Sequence, residues 1–308
     1  MFQAGSRCKL LARSHMNSRE RFHQTMQYGT PDHVPCFEDG LREGVLDVWR
    51  QQGLPPDDDL ARQFPHDRHE LVDPDSDPWT RSVERWRNRD HVLMMRVHDG
   101  IFLSLGVEGW TSFREVVRLL VRDPAFVRKT MRAKGKAAAR VMERVLRRVE
   151  IDAAIFVEPL CDNTGPLISP RMYQDFAPEG YGPVFEVLRR HGVETFVFMS
   201  FGNPRPLLPM VVNLGFNCLW ACEVNPETMS YADIRREFGP KLRLIGGIDL
   251  DALRQDTHAI EREFRRAGSL LGDGGYIPLA DGRIREDVPY GNYVHYRRQL
   301  ERITGFRK

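Results

Sequence analysis

From residue 151 onward the chain alternates short apolar runs with helix-forming segments. The runs are Ile151–Val157, Thr195–Met199, Asn217–Cys222, Leu242–Ile248 and Gly275–Leu279. Each is too short for a helix and apolar at successive residues, which is the pattern of a strand buried on both faces. Helices are expected near 170–191, from Arg205 to about Leu214, over Ser230–Phe238, near 251–270, and from about Val288 to Ile303. Strands that alternate with helices in this way form βαβ units and a parallel sheet.

The first half is less regular. A short helix is expected around 17–28, then the turn Gly29-Thr30-Pro31-Asp32 and an apolar run from His33 to Phe37 that ends in Glu38-Asp39-Gly40. Residues 41–53 read as a helix, Pro55 to Asp59 as a loop or cap, and 64–80 as an Asp- and Pro-rich stretch without periodicity. A strand is expected between His91 and Asp99, and a glycine-bearing loop at Gly106 to Gly109. Ser112 followed by Glu115 has the capping-box spacing. Asp123-Pro124 opens a long helix to about Val149, with proline at its first position. Two or three βα units here and five later sum to about eight, the number a closed barrel needs. A doubly wound open sheet is the competing arrangement, but no G-x-G-x-x-G follows the first strand. The expected fold is α/β, a (β/α)8 TIM barrel, as one domain over 17–308. Residues 1–16, basic and free of acid, are expected to be a leader outside it, with Met16 as the effective start.

Composition narrows the class. Of 308 residues, 45 are basic and 43 acidic, so the formal charge is +2. That balance argues against a nucleic-acid partner, which calls for a strongly basic domain. No apolar stretch of about 18 residues suggests a membrane span. Five scattered cysteines without a CxxC pair fit a reduced, cytoplasmic protein. Neither a GxSxG elbow nor a Walker loop occurs, and no HxxxH suggests a histidine metal site.

In a barrel of this kind the chemistry gathers where strands end. Those positions are rich in acid: Glu38 and Asp39, Glu158 with Asp162 nearby, Glu223, Asp249 and Asp281. Converging carboxylates raise one another's pKa values and can act as general acids or bases. Asp249 has as good a claim to be a helix N-cap, whereas Glu is a poor N-cap, which favours Glu158 and Glu223 as site residues. The 195–199 strand differs, running into Met199-Ser200-Phe201-Gly202-Asn203. The helix 125–149 carries nine basic residues against Glu143 alone; a solvated outer face is the commoner reason for such a run, and attraction of an acidic partner the other.

Several of these segments together resemble the uroporphyrinogen decarboxylase superfamily. The stretch from Glu158-Pro159-Leu160-Cys161-Asp162 through Gly165-Pro166-Leu167-Ile168-Ser169-Pro170 to Tyr173 is similar to that family's E-D-x(5)-G-P-(L/M)-I-S-P stretch. Gly202-Asn203-Pro204-Arg205-Pro206, Gly246-Gly247-Ile248-Asp249 and Asp287-Val288-Pro289-Tyr290-Gly291 follow in the family's order, as do Arg19-Glu20-Arg21-Phe22 and Pro31-Asp32-His33-Val34-Pro35 at its start. The resemblance runs from about residue 17 to 303 and implies the same barrel. It spans the heme-pathway decarboxylase and corrinoid-linked methyltransferases, so it leaves the reaction open.

The departures direct the functional expectation. Where the decarboxylase has several carboxylate-binding arginines near the first strand, this chain has one, Arg42, and two acids. A polycarboxylate facing Glu38, Glu158, Glu223 and Asp281 would be repelled by about 1 kcal/mol or more per close pair. Where the thiol-activating methyltransferases carry H-x-C-G for zinc, this chain has Met199 and Phe201, so no metal ligand set is expected. The leading expectation is methyl or one-carbon transfer on a small molecule, with a corrinoid as methyl carrier, a corrinoid protein as partner and a homodimer as one assembly. Glu158, Glu223 and Asp281 would be catalytic; Arg42, Arg205 and Arg283 would orient an anionic group. Phe201 and Trp220 would supply apolar walls, with Glu38, Met199, Asn203 and Asp249 also lining the pocket. The alternatives are a decarboxylase or lyase on a smaller acid or porphyrin-like substrate, and a non-catalytic ligand-binding barrel.

Overall fold

The computed structural model describes residues 15–55, 60–74 and 79–306. Seven parallel strands form one sheet in sequence order: β1 His69–Val72, β2 Val92–His98, β3 Ala153–Glu158, β4 Phe196–Phe201, β5 Cys218–Cys222, β6 Arg243–Ile248 and β7 Tyr276–Ala280. The five runs of the second half are all strands, within about two residues of the expected bounds. Helices cross between them at Pro124–Leu146, Pro170–Arg190, Leu208–Leu214, Tyr231–Phe238 and Thr257–Leu271, and Tyr290–Thr304 closes the chain.

Alternate residues of each strand go to different cores. Val92, Met94, Ala153, Ile155, Val197, Met199, Cys218, Trp220, Ile245, Ile277 and Leu279 form one cluster on the inner face. Leu93, Met95, Ala154, Phe156, Phe198, Leu219, Ala221 and Leu244 pack outward against the helices. Period-two alternation with apolar residues on both sides is what a sheet covered on both faces requires. Phe22 and Met26 of the Ser18–Met26 helix join the inner cluster. Arg19, His23 and Arg89 all reach Asp152 at 2.7–2.8 Å, and Arg21 reaches Asp32 at 2.7 Å and also Asp67. These pairs hold that helix over the strand N-termini.

The first half departs from expectation. The run from His33 to Phe37 is extended but joins no ladder, because Pro35 lacks a donor and its neighbours bond elsewhere. Cys36 O accepts from Asp67 N at 2.8 Å, and a single bridge links Leu41 to Ile284. The strand of this region is β1 instead, inside 64–80, where Asp and Pro mask a four-residue ladder with β2. The helix expected over 41–53 is Val45–Gln51. Gly109, not Ser112, caps the Trp110–Arg122 helix; Ser112 Oγ accepts from Gly109 N at 3.1 Å. Residues 1–14 and most of the 55–59 loop lie outside the described residues. Among the described residues, no helix is long and apolar enough to cross a membrane.

Glu38 turns away from the inner face. Its Oε2 accepts from Arg297 Nη1 at 2.7 Å, and Arg297 is fully buried on the Tyr290–Thr304 helix. Removing one member of such a pair leaves an uncompensated charge. Arg297→Gln is therefore expected to cost about 3–5 kcal/mol in urea denaturation, with part recovered in the Glu38→Gln/Arg297→Gln double variant. A loss below about 1 kcal/mol would contradict a buried pair.

Candidate active site

Apolar residues fill the inner face of the sheet up to the strand C-termini. Met199 pairs in register with Trp220 across β4 and β5, and Phe201 with Cys222. All four side chains face the inner cluster, with Phe201 partly open. Trp220 Nε1 is a buried donor with no partner.

Asp281, the residue after β7, ties three strand ends together. Its Oδ2 accepts from Val224 N at 2.9 Å and its Oδ1 from Leu250 N at 3.0 Å, while its backbone bonds Glu223 N and Ile248 O. Two N–H donors favour the carboxylate, but burial outweighs them and pushes the pKa up to about 7. Glu223 follows β5 with φ +52°, a left-handed conformation uncommon outside glycine. That turn sends its half-exposed carboxylate to Arg42 Nη2 at 2.5 Å. Asp249 Oδ1 accepts from Asp251 N at 2.8 Å, so its N-cap role is real. Burial, with Glu263 and Asp251 nearby, raises its pKa.

Glu223, Asp249 and Asp281 meet on a cleft of about 520 Å³ at the ends of β5–β7. Arg285 and Arg266 stand in its wall. A smaller cavity of about 350 Å³ adjoins it, lined by Met229, Tyr231, Gly247 and Leu270 and sharing Asp249 and Asp281. Volumes of this order suit a small organic molecule.

The other expected site residues lie elsewhere. Glu158 has the outward parity of β3 and is fully buried behind it. Its Oε1 accepts from Ile101 N at 2.9 Å and its Oε2 has no partner. A methyl group at Gly100 would come within 2.3 Å of Oε1, so that glycine makes room for the acid. Arg205 is exposed and paired with Glu237 at 3.3 Å; Asn203 Oδ1 accepts from Arg205 N at 3.1 Å. Both serve the local turn. Arg283 is exposed and acts on Asp39, whose pKa burial raises against that cation.

Asp39 therefore faces the mouth where Glu38 does not, a choice that period-two alternation along 37–39 makes visible in the sequence. Arg96 was not legible: it sits at an inward position of β2, held by Asp99 at 2.7 Å and Asp73 at 3.8 Å, within a run that otherwise reads as apolar. Glu263 was missed because its acid comes from a helix, not a strand end.

No group of three or more His, Cys, Asp or Glu among the described residues is arranged to hold a metal ion. Met199 and Phe201, neither of them able to act as a zinc ligand, sit on the inner face at the end of β4. Burial, with Asp39, Asp281 and Glu223 nearby, drives the Cys222 thiol well above its usual range. A thiolate-held zinc does not fit these residues.

No family model matches the chain, and no curated protein matches it. Among solved structures it is similar to a methyltransferase from Methanosarcina mazei, at 12% identity and a TM-score of 0.59, over 93% of this chain and 99% of that one. A Listeria monocytogenes protein assigned as a vitamin-B12 independent methionine synthase aligns at 10% identity and a TM-score of 0.47, over 89% and 97%. At such identities the first likeness speaks to fold: a parallel α/β sheet of the TIM-like kind.

Glu158 yields a test of this geometry. Burial pushes its pKa up to about 8, so the fold favours the protonated form. Its contribution to stability is full below the ordinary carboxyl value near ~4.3 and is lost as pH rises to about 8, at up to about 1.4 kcal/mol per pH unit. The stability of Glu158→Gln relative to wild type is expected to rise through that window and level off above it. A flat difference would place Glu158 in contact with solvent.

Proposed function

We propose that this chain is a barrel enzyme that transfers a methyl group from a small donor held in the strand-end cleft. The supporting observation is Asp281, a buried acid with a pKa near 7, on the strand-end cleft that it shares with Glu223 and Asp249. When a methyl group leaves an oxygen, nitrogen or sulfur, the leaving atom gains an electron pair and needs a proton. An acid with a pKa near the working pH supplies it efficiently. Asp281 delivers that proton in this reading, and the Arg42–Glu223 pair fixes the polar end of the donor. The likeness to a methyltransferase over nearly the whole chain agrees with this assignment.

A corrinoid is the proposed methyl acceptor, presented at the mouth by a separate protein. The cleft suits a small donor and is too small to enclose a macrocycle of that size. Zinc activation forms no part of the mechanism, because the donor set is unsuited to it. Closure of the seven strands by the 34–42 segment into a full (β/α)8 barrel belongs to the same reading: that segment bonds Asp67 near β1 and Ile284 just beyond β7. Of the cations that the sequence offers for a substrate carboxylate, Arg42 is committed to Glu223 and Arg283 faces Asp39.

The test is a panel of O-, N- and S-methyl donors with a reduced corrinoid acceptor, followed by mass detection of the demethylated product. Turnover is expected with one donor class, falling as pH rises above about 7, and Asp281→Asn is expected to lower kcat by about 10²–10⁴-fold. Carbon dioxide release without methyl transfer would assign a lyase instead. No turnover with any donor class would overturn the proposal.

A further inference from the structure

The excursion between β2 and β3 carries a surface that the proposed chemistry does not use. Trp110 is 82% exposed, Val121 64% and Phe126 50%, on the Trp110–Arg122 helix and the first turn of Pro124–Leu146. Large side chains left this open on adjoining elements mark a contact surface more often than chance. On the same helix Arg114, Arg118 and Arg122 repeat every four residues in line with Trp110, so the three guanidinium groups share one face. None makes an ion pair among the described residues, although most arginines elsewhere in the chain do, and Lys129 follows on the next helix, also exposed and unpaired. A crossover helix runs antiparallel to the strands that it joins, so the start of Pro124–Leu146 lies at the strand C-terminal end, the same end as the cleft.

We infer that this face docks an acidic surface of a partner protein at that end of the sheet. Unpaired guanidinium groups complement carboxylates, which they bind in bidentate fashion. Trp, Phe and Arg together are the composition of protein-interface anchors. A second copy of this chain is a poor occupant, because a two-fold contact would set the same arginines against each other. A lipid surface is a poor one as well. A membrane-lying helix inserts its apolar face, but here Val116 and Leu120 are already buried against the protein.

The full chain can be titrated with a helical peptide bearing glutamates four apart beside a leucine stripe. A lysine counterpart, phosphatidylserine vesicles and oligothymidylate serve as competing probes. Trp110 is the natural reporter, because Trp49, Trp86 and Trp220 are buried and Trp79 is partly buried against the core. The expected result is a saturable blue shift with the acidic peptide alone, at least tenfold weaker when salt rises from about 50 to about 300 mM. The R114E/R118E/R122E variant should lose binding at least tenfold with its melting temperature unchanged, and W110A should weaken it too, read by calorimetry. Absence of binding, an unchanged affinity in the charge-reversed variant, or tighter binding to vesicles, oligothymidylate or the lysine peptide would overturn the inference.

Discussion

Burial on both faces of the parallel sheet governs this structure. Each strand from β2 to β7 presents apolar side chains inward and outward at once, so Met199 and Trp220 fill the interior while Phe198 and Leu219 meet the helices. Each such side chain contributes about 1.5–3 kcal/mol when removed from water. Polar groups are thereby pushed to the strand ends. At the C-terminal end the unpaired backbone donors of Val224 and Leu250 need acceptors, and Asp281 supplies both. The same burial that makes Asp281 a structural latch holds its proton near neutrality. Framework and chemistry thus share one residue.

The charges sort by position as well. At the N-terminal end, Asp152 and Asp67 each collect several partners and fix the entering helix over the inner core. At the opposite end the acids are less neutralised, and burial shifts Asp39, Asp249 and Asp281 upward. The near-zero formal charge of the whole chain conceals this polarity.

Much of the fold was legible because the five runs after residue 151 carry their own evidence: continuous apolar strands can only be buried. β1 was hidden because His69-Glu70-Leu71-Val72 has only two apolar residues and borrows its stability from β2. Of the acids expected at the site, the structure brings Glu223, Asp249 and Asp281, each directly after a strand, to one cleft. It turns Glu158 and Glu38 away from it, since strand parity, not proximity to a strand end, decides which way a side chain points. Glu158 takes the outward place and Asp39 the inward one, a distinction that alternation along 37–39 carries for Asp39 and the buried parity of β3 for Glu158.

The proposed function requires a small molecule in the strand-end cleft beside Asp281. Methionine methyl groups report on this directly: Met229 lines the cavity that adjoins the cleft, whereas Met131 and Met142 pack in the outer core away from it. Titration of 13C-methyl-methionine protein with a turned-over donor should shift the Met229 resonance and leave Met131 and Met142 in place. A shift confined to Met131 or Met142, with Met229 unmoved, would contradict binding in this cleft.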